Sequence, residues 1–210
     1  MLFSALDGVL GSTSKIQLLR AILTLNGPVS GREAQKLAGV TSRKGAHHAL
    51  NALAALGVLT QHRLRGTHLY GVNRDHHLIA PLQALFAAES QRFSILREVL
   101  RDGVEQHGLL AHVESALLFG SAARGEARPD SDLDVLFVVD TREVAEATEA
   151  VAIDLQEAVF TRLGLTLAPI TLPLGRFRER YAAGDPLLRE IESEGRVLLG
   201  ASVRELVGAR

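Results

Sequence analysis

Apolar and polar positions along this chain recur first at a helical period and later at a mixture of helical and strand periods. Over 15–25, Ile16, Leu19, Ile22 and Leu23 return at helical spacing, and Asn26-Gly27-Pro28 stops the run. Ser30 with Glu33 three residues on has the form of a capping box, which predicts a short helix to Ala38. Gly39-Val40-Thr41 turns the chain, and Thr41 or Ser42 can cap a third helix. Ala46, Ala49, Leu50 and Leu53 form its inward face, and Gly57 ends it. Residues 58–62 and 68–72 are the arms of a hairpin whose tip, Arg63-Leu64-Arg65-Gly66-Thr67, is basic.

Pro81, tolerated at a first helical position, opens a helical stretch to about residue 106, with Leu85, Phe93, Leu96, Val99, Leu100 and Val104 among its apolar positions. A strand ends in Leu117-Leu118-Phe119, another runs over 135–139, and a helical period returns over 143–163. The run 165–172 is a third strand in which Pro169 removes a ladder donor, marking an edge or a bend. Two short helices, 176–181 and 186–194, precede Val197-Leu198-Leu199. This order predicts a mixed α/β (α+β) sheet with its helices on one side.

Composition narrows the class. At 210 residues the chain holds one large domain or two small ones, and 47% hydrophobic residues supply ample core. The absence of cysteine excludes disulfides and thiolate metal sites. The first ten residues lack the basic segment of a signal peptide, and no apolar run approaches the roughly 20 residues needed to span a bilayer. A cytoplasmic protein without membrane contact is the expectation. The net charge of −1 conceals an asymmetry: residues 1–80 hold nine Lys/Arg against three Asp/Glu, a net of +6, and the remainder carries −7. A basic module joined to an acidic one suggests that the first meets a polyanion and the second a metal ion. Among the eight histidines, His47 and His48 point about 100° apart on a helix and do not share a metal. His76 and His77 lie in a connection. A polar helix face and a linker account for all four.

The chemistry concentrates in Gly120-Ser121, followed after ten residues by Asp132-Leu133-Asp134. Strand alternation puts the two carboxylates on one face, where they repel each other unless a cation intervenes. A hard ion such as Mg²⁺, held by one or two carboxylates and substrate phosphates, suits that arrangement. The Gly-Ser turn offers close backbone approach, N–H donors and a hydroxyl. The combination points to chemistry on a nucleoside triphosphate.

The segment FGSAARGEARPDSDLDVLFVV resembles the signature of the DNA polymerase β-like nucleotidyltransferase superfamily, in its minimal bacterial and archaeal branch, and the resemblance extends over about 109–200. It implies that Gly120 and Ser121 hold the β- and γ-phosphates and that Asp132 and Asp134 are catalytic and bind Mg²⁺ or Mn²⁺. Arg124 either steadies phosphate charge or pairs with Glu126 or Asp130. One departure stands out. Active members of the family carry a third carboxylate on a later strand, and 165–172 contains no Asp or Glu, Thr166 and Thr171 being the polar positions there. Glu114, Glu126 and Asp154 are carboxylates that the sequence does not place in space.

Three helices and a basic hairpin make a winged helix-turn-helix, and VSGREAQKLAGVTSRKGAHHALNALAALGVL with the wing after it resembles bacterial winged-helix transcription regulators. That resemblance implies DNA contacts from the outward positions of the third helix, Ser42, Arg43, Lys44, His47, His48 and Asn51, and from Arg63 and Arg65 on the wing. The domain organisation expected is a DNA-binding domain over 1–80, a linking helix over 81–108 and a nucleotidyltransferase-like domain over 109–210. The function expected is transfer of a nucleoside monophosphate from a triphosphate to a hydroxyl by a DNA-bound protein. The alternative is a transcription regulator whose degenerate transferase domain senses nucleotide without turnover. Expected partners are duplex DNA, a nucleotide, a protein acceptor and a second copy of the chain.

Overall fold

A computed structural model describes residues 12–126 and 131–208. The first ten residues and Asp130, read above, lie outside the described residues. The described chain divides into two compact units, one ending at Ser90 and the other beginning at Gln91.

The first unit has the helices and hairpin that the periodicity predicts. Helix α1 (Thr13–Ile22), strand β1 (Val29–Ser30), helices α2 (Gly31–Leu37) and α3 (Arg43–Ala55), strands β2 (Leu59–Leu64) and β3 (Thr67–Val72) and helix α4 (Ile79–Ser90) follow in order. Both halves of the capping box form at α2. The Ser30 hydroxyl accepts from the Glu33 N–H, and the Glu33 carboxylate accepts from the Ser30 N–H. Ser42 caps α3 by accepting from the Gly45 N–H at 3.0 Å. Arg65 (φ 48°) and Gly66 (φ 84°) turn the hairpin with both central residues at positive φ, the geometry that matches the twist of two antiparallel strands. The two-residue strand β1 adds to β3 and makes a three-stranded sheet, an element too short to show as a period in the sequence. Leu18, Ile22, Ala34, Leu50, Leu53 and Tyr70 fill the core between helices and wing.

The helical run that starts at Pro81 is not one helix. It breaks at Gln91 into α4 and α5 (Arg92–Gln106). Its apolar positions serve two cores: Ile79, Leu82 and Phe86 pack in the first unit, and Leu96, Val99, Leu100 and Val104 in the second. The run over 143–163 likewise divides at Val151 into α7 (Arg142–Ala150) and α8 (Ala152–Leu163).

The second unit is built on a four-stranded mixed sheet of order β6-β5-β4-β7. Its strands are β4 (Val113–Phe119), β5 (Leu133–Val139), β6 (Leu167–Pro173) and β7 (Arg196–Gly200). Strands β4–β5 and β4–β7 are antiparallel, whereas β5–β6 is parallel. Helices cover both faces, in place of the single face expected. Leu133, Val135 and Phe137 pack with Leu96 and Leu100 of α5 and Leu155 and Val159 of α8. On the other face, Leu117, Leu136 and Val138 pack with Phe177, Leu188, Ile191 and Val203. Those four come from α9 (Leu174–Ala182), α10 (Pro186–Glu194) and α11 (Val203–Leu206). A central strand with apolar residues at successive positions requires two covered faces.

Strand β6 lies at the edge, as Pro169 predicts. The Leu133 N–H donates to the Thr166 carbonyl at 2.8 Å, so Thr166, Ala168, Ile170 and Leu172 turn their backbone groups toward β5. Pro169 turns its nitrogen outward and costs the ladder nothing. Phe137 has no exposure and lies at the centre of β5. Phe137→Ala should lower stability by about 3–5 kcal/mol in urea unfolding, with loss of both transfer energy and packing.

Candidate active site

Strand β4 ends at Phe119, and helix α6 (Gly120–Arg124) begins at the next residue, with Ala122 and Ala123 buried beneath it. Gly120 has φ +67°, and a Cβ built on it would come within 2.5 Å of Asp134 Oδ2. Glycine is therefore required twice here, by the left-handed backbone and by the carboxylate against it. The register pairs Phe119 with Asp134, which sets the Gly-Ser turn beside the carboxylates at the open end of β5. Ser121 and Asp134 are half-buried, and Asp132 is exposed. Gly120 and Ser121 on one side and Asp132 and Asp134 on the other, separated in sequence, thus converge on one sheet end.

Burial raises the pKa of Asp134, and the neighbouring charges of Asp132 and then Glu190 raise it further. Glu190 is a participant that the sequence does not announce. It lies on α10, 56 residues beyond Asp134 by numbering, and its carboxylate accepts from Arg124 at 2.7 Å. Arg124 also donates to Glu126 at 2.9 Å and to Glu194 at 3.2 Å. Those carboxylates hold its guanidinium well above its ordinary pKa, Glu126 most of all. Of the two roles expected for Arg124, ion pairing is the one formed, and three partners share it.

The register also locates the position of the missing carboxylate. Asp134 pairs with Ala168 on β6, so Ala168 shares its face, and Thr171 pairs with Phe137 on the opposite face. Thr166, one step before β6, precedes the pair Leu133–Leu167 and lies level with Asp132. Glu126 is occupied by Arg124, and Asp154 pairs with His107 at 3.2 Å. Glu114 lies near the start of β4, at the far end of the sheet from Asp134. Among the described residues no group of three His, Cys, Asp or Glu side chains converges to hold a metal. The oxygens of Asp132 and Asp134 and the cradle kept open by Gly120 fit one hard divalent cation that takes its other ligands from phosphates.

One comparison bears on this sheet end. Residues 97–198 match the nucleotidyltransferase domain family. The nucleotidyltransferase domain so defined begins within α5 and ends within β7, enclosing the Gly-Ser turn, the Asp pair and α10. No curated protein matches the chain. Among solved structures, one described as a toxin-antitoxin with AMP-PNP is 17% identical, with a TM-score of 0.38 over 55% of this chain and 80% of that one. Human N-acetylserotonin methyltransferase in complex with SAM is 15% identical, with a TM-score of 0.28 over 49% of this chain and 35% of that one. Both are too distant to bear on function. No helix among the described residues is long and apolar enough to cross a membrane.

In the first unit, Arg43, Lys44, His47 and His48 are exposed on α3, and Arg63 and Arg65 are exposed on the hairpin. Ser42 is spent as a helix cap. Asn51, expected to face outward, is half-buried: its side-chain oxygen accepts from the Tyr70 hydroxyl at 2.8 Å and from Gln61 at 3.4 Å. A polar residue at an outward helical position was drawn under the wing by a buried tyrosine, a partnership that helix periodicity does not reveal.

The raised pKa of Asp134 has a consequence for stability. The fold favours its protonated form, so at neutral pH the ionised carboxylate destabilises the native state. That cost disappears as pH falls through the folded pKa toward the ordinary 3.8. Asp134→Asn should therefore raise Tm at pH 7 in metal-free buffer, and the advantage over wild type should shrink on acidification, as read by calorimetry between pH 7 and pH 3.

Proposed function

We propose that the protein binds duplex DNA through its first unit, and that its nucleotidyltransferase domain transfers a nucleoside monophosphate from a triphosphate to a hydroxyl acceptor with Mg²⁺ or Mn²⁺. The observation that carries the reading is the convergence of Gly120, Ser121, Asp132 and Asp134 at one sheet end inside the family segment. In this reading Asp132 and Asp134 would hold the ion, which would supply positive charge against the phosphates. Gly120 permits close approach of the β- and γ-phosphates, and Ser121 offers a hydroxyl to them. The acceptor oxygen bonds to the α-phosphorus as the bond to the β-phosphate breaks, and pyrophosphate leaves. Arg124 can join phosphate by exchanging one of its three carboxylates for it. The acceptor is a protein hydroxyl, with DNA recognition in the unit that ends at Ser90 and transfer in the unit that begins at Gln91. A cytoplasmic homodimer completes the reading.

A second reading is favoured by Ala168. With alanine opposite Asp134, the site keeps two carboxylates for binding and lacks the one that would prepare the acceptor hydroxyl. The domain then senses nucleotide, and the protein acts as a transcription regulator. Incubation with labelled triphosphates, Mn²⁺ and cell lysate separates the two: label on a macromolecule supports transfer, and binding without label supports sensing. If sensing is correct, Ala168→Asp should introduce transfer into a protein that lacks it.

For both readings, Asp132→Asn and Asp134→Asn should abolish metal-dependent nucleotide binding in calorimetry while the protein stays folded. Gly120→Ala should do the same by displacing the Asp134 carboxylate. Wild-type binding that survives in both Asn variants would remove this site from the account.

The DNA reading rests on Arg43, Lys44, His47 and His48 lying exposed on one helix, with Arg63 and Arg65 exposed on the wing. Affinity should fall steeply as salt rises, because phosphate contacts release counterions. Arg43→Ala should cost about 1–3 kcal/mol and relax preference at one base position. Fluorescence anisotropy on genomic fragments over a salt series measures both, and affinity indifferent to salt counts against the assignment.

A further inference from the structure

Between α2, α3 and β3 the first unit encloses a cavity of about 380 Å³, within the range of small-molecule sites. Its floor is apolar: Leu50 and Tyr70 are almost wholly buried, and both side chains face it. Its rim carries Arg32, Arg43, His47 and His68, and none of its lining residues is a carboxylate. Neither Arg32 nor Arg43 forms an ion pair with a described residue. Three of the other polar side chains of the lining are engaged. The Tyr70 hydroxyl donates to Asn51, the Ser30 hydroxyl pairs with Glu33, and the Gln35 amide donates to the Val40 carbonyl. What the cavity offers a ligand is thus chiefly two guanidiniums without an ion-pair partner among the described residues, above a base closed by Leu50 and Tyr70. Guanidinium matches carboxylate and phosphate in geometry as well as charge.

We propose that this cavity binds a small organic anion, a carboxylate or phosphate monoester carried on a flat apolar body, and that its occupant competes with DNA for Arg43 and His47. The anionic end pairs with Arg32 and Arg43, and the body lies on Leu50 and the Tyr70 ring. The competition rests on the DNA reading above, whereas the site itself does not.

The test is amide chemical-shift mapping on the full chain with benzoate, phenyl phosphate and inorganic phosphate as probes, up to about 10 mM, where millimolar affinity is detectable. Saturable shifts at Gly31, Leu50 and Tyr70 are expected with the two aromatic anions and not with inorganic phosphate. Arg32→Gln should weaken them about tenfold or more, as loss of a charge-assisted contact does. Gly31→Leu should abolish them. A Cβ at Gly31 already touches Leu50 Cδ1 and Tyr70 Cε2 at 3.5 Å, so a larger side chain fills the floor. Thermal unfolding checks that both variants remain folded, and Arg32, being exposed, keeps the test open should Gly31→Leu not fold. The site is overturned by an absence of saturable shifts, by shifts unchanged in Arg32→Gln, or by inorganic phosphate acting as well as the aromatic anions. A second arm follows a labelled duplex by anisotropy. Displacement by saturating aromatic anion supports competition, and simultaneous binding overturns it. A protein that binds no duplex ends the DNA reading, while the shifts still decide the cavity.

Discussion

Strand β5 is closed to solvent on both faces and along both edges. Val135 through Val139 have no more than trace exposure, with β4 on one side and β6 on the other. A strand held this way cannot slide, since a shift of one residue would turn its apolar set to the wrong cover. Its open end therefore fixes where Asp132 and Asp134 stand, at the boundary where the packed interior gives way to water. The other features of the site follow from that placement. Glycine is the residue that fits beside Asp134, the turn into α6 must be abrupt, and the helix over that face brings its own carboxylates close by.

The charge balance around the pair is lopsided. Glu126, Glu190 and Glu194 gather around Arg124 on α6, which divides itself among them, while Asp132 and Glu190 bear on Asp134. Two aspartates are left to repel each other across a strand face. The repulsion is what raises the pKa of Asp134 beyond the effect of its burial.

The helices, the wing and the Asp-bearing strand were legible because each rests on local rules: period, caps and turn residues. The capping box at Ser30 and Glu33 and the edge position marked by Pro169 are of this kind. What escaped reading depends on tertiary register. Ala168 became the partner of Asp134 only through the parallel pairing of β5 with β6, which also sets Thr166 level with Asp132 and Thr171 on the opposite face. Glu190 and Glu194 belong to a helix with ordinary surface composition until α10 packs against α6. Helical geometry puts Asn51 outward, and its bond to the buried Tyr70 of β3 is a contact that helix periodicity does not reveal. The helix breaks at Gln91 and Val151 were invisible because apolar spacing continues through both while the core being served changes or the cover bends.

The outward row of backbone groups on β6 has a bearing on assembly. Leu167, Pro169, Thr171 and Pro173 face away from β5, and two of these four positions have no N–H to give. The Leu167 carbonyl is already taken by the Gln156 side chain at 3.0 Å. A neighbouring strand arriving at this border would find every second donor missing and one acceptor occupied, so the sheet cannot be prolonged there by another chain. The prolines cost the fold no hydrogen bond and protect it from edge-to-edge aggregation. Two copies of this protein that associate cannot do so by pairing one β6 edge with another.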